Sequence, residues 1–386
     1  MSRHRRNRWN RRSPGEPVTD PAQGSRITSV PVVRKGMPDV AISREEFARR
    51  VRERFHDPAF DAVQPEIDAI IDVAWDGYHA YRKTPRTRKA GPGFADPDYE
   101  LPIEWLAARD AIHDAQRRHD LPDGRRRVLL VSGAARSDQT CPGEMSKTWR
   151  LVQIAREVLV QDPAVDVDLL DLSHLTSEYG RNIHPCKACV STAMPLCHWP
   201  CSCYPNHAMG QTSDWMAELY PRWVAAHAVL IVTPVYWYQA PSVLKLMMDR
   251  LVCADGGNPD PTSTHGKTPA EAKALEVAGW DFPRHLAGRL FGIVVHGDAA
   301  GTENLRRILT DWLHDMQLVD AGSGSAIDRY IDYFGSYAGS HDALDADAAV
   351  QEEVRNVART VLDALTLRAA GLFRQPSAHR DDPRPK

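Results

Sequence analysis

The chain has 386 residues, of which 42% are hydrophobic, so it is long enough to bury a large core and has the composition of a globular protein. Its formal net charge of −3 gives no overall basic balance, which removes the compositional argument for nucleic-acid binding. No apolar run approaches the length that a bilayer-spanning helix needs, so we expect a cytoplasmic protein without membrane contact.

The two ends of the chain are polar. Residues 1–40 are rich in arginine and carry few apolar side chains, so we predict a disordered basic tail there, and a second disordered tail over residues 371–386. An arginine-rich tail can also bind RNA or DNA, but a solvated tail is the interpretation that we favour.

Residues 41–122 show amphipathic helical patterns without clustered reactive side chains. Ser43 followed by Glu46 is a capping box that predicts the start of a first helix. Pro65 and Pro102 are placed to open a second and a third helix, with a linker over residues 84–100 between them. We therefore predict a helical extension that covers the main domain or helps it dimerise.

From residue 123 to residue 370 the pattern changes to short apolar runs that alternate with amphipathic stretches. This alternation is typical of a parallel sheet with crossover helices. The fold class predicted is α/β, with a flavodoxin-like, doubly wound sheet of five parallel strands and an N-terminal helical extension. The five strands are expected at 128–132, 165–172, 228–234, 290–296 and 318–321, and the helices at 144–160, 213–226, 241–251, 303–316 and 347–367.

Ligands of open α/β sheets bind beyond the carboxyl ends of the strands. The first strand runs into a loop, residues 132–140, that carries one glycine, several hydroxyls and Arg136 before the next helix. Backbone amides, a helix N-terminus and a guanidinium together suit a phosphate monoester, although such a loop can also merely cap its helix. A dinucleotide fingerprint needs three glycines, and a P-loop needs a glycine where Ser146 stands, so both alternatives fail.

The loop after the third predicted strand carries three consecutive aromatic residues, Tyr236, Trp237 and Tyr238. A flat conjugated ligand would give these rings a stacking partner. They can instead pack beneath the following helix or at a dimer contact. The fourth strand ends in a tight polar loop that begins at His296, which is equally explained as a hydrogen-bonded structural histidine.

Together, these three segments resemble the NADPH-dependent FMN reductase branch of the flavodoxin-like superfamily, including its iron-sulfur flavoproteins. The resemblance covers residues 126–325 and is carried by residues 132–140, by residues 233–237 with 244–250, and by residues 296–298. It implies an FMN phosphate surrounded by Ser132, Arg136, Ser137 and Thr140. It also implies a flavin ring lined by Pro234, Val235, Tyr236 and Trp237, with His296, Gly297 and Asp298 near its edge.

Five of the seven cysteines lie close together in the segment that follows the second predicted strand: Cys186, Cys189, Cys197, Cys201 and Cys203. Grouped thiolates can ligate a 4Fe-4S cluster or zinc, which makes these five residues candidate metal ligands. Iron-sulfur flavoproteins carry a compact cysteine motif at this point, but Thr192 stands where their third cysteine is expected. Free or paired thiols are the third alternative.

The function that we predict is an FMN-dependent oxidoreductase. NAD(P)H would reduce the flavin, which would pass hydride or electrons to a small acceptor such as a quinone or a second flavin. The alternative is an FMN and iron-sulfur electron carrier or redox sensor that does not turn over pyridine nucleotide. No residue is identified as a catalytic acid or base. We expect a homo-oligomer whose partner is a small-molecule acceptor. We do not expect a nucleic-acid partner.

Overall fold

The structure, a computed structural model, describes residues 29–122 and 124–374. Most of the predicted basic tail and residues 375–386 of the C-terminal tail therefore lie outside the described residues. Residues 29–40 form neither helix nor strand and run over the surface, where Val32 O accepts a hydrogen bond of 3.1 Å from Lys273. Within the described residues, no helix is long and apolar enough to cross a membrane.

The described part of the chain forms eight strands and eleven α-helices, together with short 3-10 turns. The strands are β1 (Thr87–Lys89), β2 (Glu100–Pro102), β3 (Arg126–Ser132), β4 (Val165–Asp171), β5 (Ala228–Pro234), β6 (Leu290–Gly297), β7 (Val319–Asp320) and β8 (Ala326–Tyr330). The helices are α1 (Arg44–Arg52), α2 (Gln64–His79), α3 (Ile103–His119), α4 (Lys147–Leu159), α5 (His174–Ser177), α6 (Met216–Ala225), α7 (Ser242–Arg250), α8 (Pro269–Ala278), α9 (Thr302–Asp315), α10 (Ser340–Ala346) and α11 (Ala348–Ala369).

The three helices predicted before residue 122 are α1, α2 and α3. Ser43 Oγ accepts a hydrogen bond of 3.2 Å from Glu46 N at the start of α1, as the capping box predicts. The predicted linker at 84–100 differs in part, because β1 and β2 pair antiparallel within it. The helix α3 packs against α6, so this N-terminal segment lies directly on the α/β unit.

The large sheet is parallel and has the order β4-β3-β5-β6, with β7 and β8 both paired to the outer side of β6. This is the flavodoxin order, in which the chain starts near the middle and winds outward both ways. The fifth position is shared by two short strands: Val319 in β7 pairs with Leu290, and Ala326 in β8 pairs with Ile293. The sequence predicted β7 but not β8, since two glycines interrupt the edge between them.

Alternate residues of each central strand enter different apolar layers. In β3, Leu129 packs with α3, α6, α7 and α9, whereas Leu130 packs with α4 and α11 on the opposite face. Both leucines are fully buried, and burial of each contributes about 2 kcal/mol. The two layers fix the sheet between helices and leave its carboxyl edge to be covered by loops alone.

Candidate functional site

Four loops meet at the carboxyl edge of the sheet, where β3, β5, β6 and β8 end. Backbone hydrogen bonds connect them: Gly133 N donates to Val232 O at 2.8 Å, Val235 N donates to His296 O at 2.9 Å, and Ile331 N donates to Gly297 O at 2.9 Å. The three segments singled out in the sequence are thus neighbours at one edge.

Gly133 and Thr233 bring the first two of these loops into close approach. A Cβ on Gly133 would lie 2.7 Å from Thr233 Oγ1 and 3.2 Å from Leu244 Cδ2. Thr233 is fully buried and belongs to the strand, so neither contact is easily relieved. Glycine is therefore required here by the closeness of two chain segments rather than by an unusual φ angle.

The loop after β3 is longer than the sequence predicted. Thr140 Oγ1 accepts a hydrogen bond of 3.1 Å from Ser137 N and donates one of 2.7 Å to Ser137 O, so these two residues close a turn of their own. The guanidinium of Arg136 donates to Glu144 Oε2 at 3.1 Å and to Met145 O at 3.3 Å. The helix predicted from residue 144 starts only at Lys147.

The first turn of α4 contains three residues that the sequence analysis did not assign to a site. Ser146 Oγ caps the helix by accepting from Trp149 N at 3.1 Å. The next side chain, Lys147, is 10% exposed and forms an ion pair with Asp298 in the loop after β6. Thr148 Oγ1 shares a hydrogen bond of 2.8 Å with His296 Nε2. The signal in the sequence is the Ser-Lys-Thr run, which resembles the end of a P-loop but lacks its glycine.

His296 is 4% exposed at the end of β6. Burial, with a smaller contribution from the positive charge of Lys147, lowers the pKa of His296 to about 3. The imidazole is therefore neutral at physiological pH. Among the described residues its Nδ1 has no hydrogen-bond partner, and a buried unpaired nitrogen costs about 1–3 kcal/mol.

The three aromatic residues after β5 form an exposed two-residue turn. Tyr236 and Gln239 exchange both backbone hydrogen bonds at 3.0 Å, and the two residues between them, Trp237 and Tyr238, have φ angles of 46° and 66°. The exposed fractions are 40% for Tyr236, 93% for Trp237 and 60% for Tyr238. The alternative that these rings pack beneath the following helix is therefore wrong.

More exposed aromatic side chains lie on the neighbouring loop after β8. Tyr333 and Phe334 are 63% and 73% exposed, and their ring centroids are 4.6 Å apart. Phe334 N donates to Asp298 O at 3.1 Å, which places this loop beside the one after β6. We call Trp237, Tyr238, Tyr333 and Phe334 the aromatic rim. Its second half, Tyr333 and Phe334, was not predicted from the sequence because the preceding strand β8 was not predicted.

The structure brings two of the five candidate metal-ligating cysteines into direct contact. Cys189 Sγ lies 3.5 Å from Cys203 Sγ and 3.6 Å from the Nζ of Lys267. The hydrogen bond from Cys203, followed by the charge of Lys267, lowers the pKa of Cys189 to about 6. Burial raises the pKa of Cys197 above its usual range.

Of the remaining candidate thiols, Cys186 bonds within its own turn and Cys201 interacts with Cys203. Cys186 Sγ accepts from Ala188 N at 3.3 Å within its own turn. The hydrogen bond with Cys203, followed by burial, raises the pKa of Cys201. Over residues 29–122 and 124–374, no group of three or more His, Cys, Asp or Glu side chains is gathered as a metal site.

A buried ion pair connects this cysteine segment to the α/β unit. The fully buried guanidinium of Arg250, at the end of α7, donates to Asp214 Oδ1 at 3.0 Å and to His184 O at 2.9 Å. Its carbon Cζ also lies 4.8 Å from the ring centroid of Tyr204. Removing one partner of such a pair leaves a buried charge without a counter-ion and costs about 3–5 kcal/mol, so both residues are needed where this segment meets the sheet unit.

The doubly wound parallel sheet, with polar loops converging at its carboxyl edge, defines a flavodoxin-like protein. A family model described as NADPH-dependent FMN reductase matches residues 126–331, just over half of the chain. The chain belongs to this family. It is accordingly an FMN-dependent oxidoreductase of the NADPH-dependent FMN reductase type, as the sequence predicted.

Several solved structures of oxidoreductases and flavoproteins are similar to this chain at low identity. RosB with a bound 8-demethyl-8-formylriboflavin-5'-phosphate intermediate is 13% identical, with a TM-score of 0.44 over 63% of this chain and 80% of RosB. An oxidoreductase from Corynebacterium diphtheriae is 14% identical, with a TM-score of 0.33 over 62% of this chain and 97% of its own. An azoreductase from Bacillus anthracis is 13% identical, with a TM-score of 0.33 over 60% and 98%. The comparison with curated protein sequences finds no match.

Proposed function

We propose that this enzyme passes hydride from NAD(P)H through FMN to a small, flat acceptor such as a quinone or a second flavin, at the carboxyl edge of the sheet. The observation that carries the proposal is the convergence there of a helix N-terminus, a buried lysine and the aromatic rim. Bound FMN supplies the N5 position that accepts a hydride, and the protein supplies binding, orientation and electrostatics.

The phosphate would be held between the loop after β3 and the first turn of α4. Helix N-termini carry partial positive charge and free backbone N–H groups, which suit a phosphate monoester. Arg136, Ser137 and Thr140 stay in the proposed site, with Ser132 forming its buried floor. We add Lys147, because its ammonium group is held beside the same helix end by Asp298 and brings a full positive charge.

The isoalloxazine ring would lie against the backbone of residues 234–237 and beside the loop at 296–298. Gly133 fits this assignment, since the missing side chain lets the loops after β3 and β5 approach each other closely. His296 fits it as well, because a neutral imidazole with an unpaired, buried Nδ1 is suited to a polar ligand atom or an ordered water. A neutral His296 positions Thr148 and is not a proton donor in the reaction.

The acceptor would reach the flavin past the aromatic rim. Side chains as exposed as Trp237 and Phe334 are available to stack on a flat substrate or on a second copy of this chain. The rim therefore supports two expectations about partners, a small-molecule acceptor and a second copy of this chain. Sedimentation of the purified protein tests whether a homo-oligomer forms.

The test is anaerobic spectroscopy of purified holoenzyme. We expect yellow protein that releases FMN on denaturation, and flavin bleaching when NADPH or NADH is added, with colour restored by a quinone. Titration with each nucleotide in parallel identifies the preferred one. Colourless protein that fails to retain added FMN, or flavin that neither nucleotide bleaches, contradicts the proposal.

The second candidate, an FMN electron carrier or redox sensor, is favoured by one observation, the contact between Cys189 and Cys203. Slow reduction by NADPH, combined with fast electron exchange with a protein partner, would support it. Rapid, stoichiometric bleaching by NADPH would exclude it. Iron, zinc and acid-labile sulfide analysis of the same preparation tests the 4Fe-4S and zinc alternatives for the cysteine segment.

A further inference from the structure

The cysteine segment contains a pair of thiols whose sulfur atoms are in direct contact, and Cys201 also shares a hydrogen bond with one of them, Cys203. Cys189 and Cys203 are separated by 14 positions in sequence, yet their sulfur atoms lie 3.5 Å apart. A disulfide bond is about 2.0 Å long, so closing it needs a small movement of two side chains rather than a rearrangement of the fold.

The surroundings give the two sulfurs different roles. Cys189 is half-buried and begins a short 3-10 turn, Cys189–Ser191, so reagents in solvent can reach it. Cys203 is 4% exposed and lies behind it. A pair of this kind has one sulfur that meets the oxidant and one that resolves the adduct.

The ammonium group of Lys267 lies beside this pair of thiols. Lys267 Nζ lies 3.6 Å from Cys189 Sγ, and the same ammonium group is fixed by a hydrogen bond of 2.5 Å to Leu196 O. The ammonium of Lys83 donates to Ser202 O at 3.4 Å, one residue before Cys203. These fixed positive charges stabilise a thiolate, and they oppose the binding of a metal cation to the same sulfur.

We propose that Cys189 and Cys203 are a redox-active pair that forms a reversible intramolecular disulfide when the protein meets a small-molecule disulfide such as oxidised glutathione. The thiolate of Cys189 attacks one sulfur of glutathione disulfide, and one glutathione thiolate leaves. Cys203 then loses its proton and attacks Cys189 Sγ, which forms the internal bond and releases the second glutathione. Two protein thiols are oxidised, and one disulfide is reduced to two thiols.

The inference does not rest on the flavin chemistry, because it concerns thiols of the apoprotein and holoenzyme alike. The full-length protein is equilibrated with reduced and oxidised glutathione, trapped with an alkylating agent and mapped by mass spectrometry without reduction. We expect a peptide that joins Cys189 to Cys203, the loss of two titratable thiols per chain, and full recovery with dithiothreitol.

Variants assign the roles. Cys203→Ser is expected to stop at a mixed disulfide between glutathione and Cys189, and Cys189→Ser is expected to abolish the reaction. Cys186→Ser, in the same segment, should behave like the unmodified protein. Lys267→Met should slow disulfide formation roughly tenfold because the thiolate loses its counter-ion, whereas Lys273→Met on α8 should not.

Three results would overturn the proposal: a disulfide between Cys189 and a cysteine other than Cys203, glutathione retained on Cys189 of the unmodified protein while Cys203 stays reduced, or iron or zinc bound through both sulfurs in fresh protein. The map of the unmodified chain decides the matter even if Cys203→Ser fails to fold.

Discussion

Lys147 and Asp298 form an ion pair that ties the first turn of α4 to the loop after β6. The lysine side chain is 10% exposed and the aspartate side chain is 35% exposed, so the cation is the more deeply placed partner. In the proposed phosphate site, this lysine would share its positive charge between Asp298 and the phosphate, and the helix dipole adds a partial positive charge at the same place.

We predict that Lys147→Met weakens FMN binding by about 10- to 100-fold, since a hydrogen bond to a charged group contributes about 1.5–3 kcal/mol. Riboflavin, which lacks the phosphate, should bind the variant and the unmodified apoprotein equally well. Titration of apoprotein with each ligand, followed by flavin fluorescence, measures both. Lys89→Met, which removes an exposed lysine from β1, is the control. An equal loss for both ligands would place Lys147 away from the phosphate.

Gly133→Ala tests the close approach of the loops after β3 and β5. Because the added methyl would lie 2.7 Å from Thr233 Oγ1, we expect a loss of stability of about 1–3 kcal/mol, as in other overpacked sites, together with weaker flavin retention. Urea unfolding and FMN content of the purified protein are the measurements. Gly339→Ala is matched to it, because the structure leaves open space around a Cβ at that position. Normal flavin content in Gly133→Ala would show that this contact between the two loops does not shape the flavin site.

The sheet was predictable because its signals are local. Each strand and helix of the core is marked by its own local apolar pattern, and the strand order follows from the fold class that those patterns define. The strand β8 was not predicted because Ala326–Tyr330 is half-buried along its length and contains two consecutive charged residues, so no continuous apolar run marks it. The small β1 and β2 pair was not predicted because each strand has only three residues, of which Leu101 alone is buried.

The site was predictable as a set of loops but not as a set of contacts. Ser132 and Pro234 end their strands, His296 is the last residue but one of its strand, and a parallel sheet must bring strand ends together. The proposed role of Lys147 depends on where α4 begins, and residues 141–146 separate that point from the hydroxyls of the predicted loop. The contact between Cys189 and Cys203 depends on the path of an irregular segment, which no periodicity encodes.

Trp237→Ala should impair turnover without harming the fold. The side chain is 93% exposed, so its removal takes little apolar area out of the core, and we expect stability to change by less than about 0.5 kcal/mol. If the aromatic rim receives the acceptor, the KM for a quinone should rise several-fold while the rate of flavin reduction by nucleotide stays unchanged. Tyr81→Ala, an exposed aromatic residue after α2, should leave both unchanged. A changed oligomeric state in Trp237→Ala would instead assign the rim to a subunit contact.

His296 gives a pH dependence of stability whose sign follows from its burial. Its pKa is about 3 in the folded protein against 6.5 for an ordinary histidine, so the unfolded chain binds the extra proton as the pH falls below about 6.5. Stability from this group is therefore fully present above pH 6.5 and decreases towards pH 3, by about 2 kcal/mol at pH 5.

In His296→Asn this part of the decline should disappear, while His56→Asn, on the surface, should retain it. Urea unfolding of the three proteins between pH 5 and pH 8 measures the difference, and NMR titration of His296 in the unmodified protein gives an independent check. An imidazole that titrates near pH 6.5 in the folded state would show that burial does not hold His296 neutral, and would contradict this prediction.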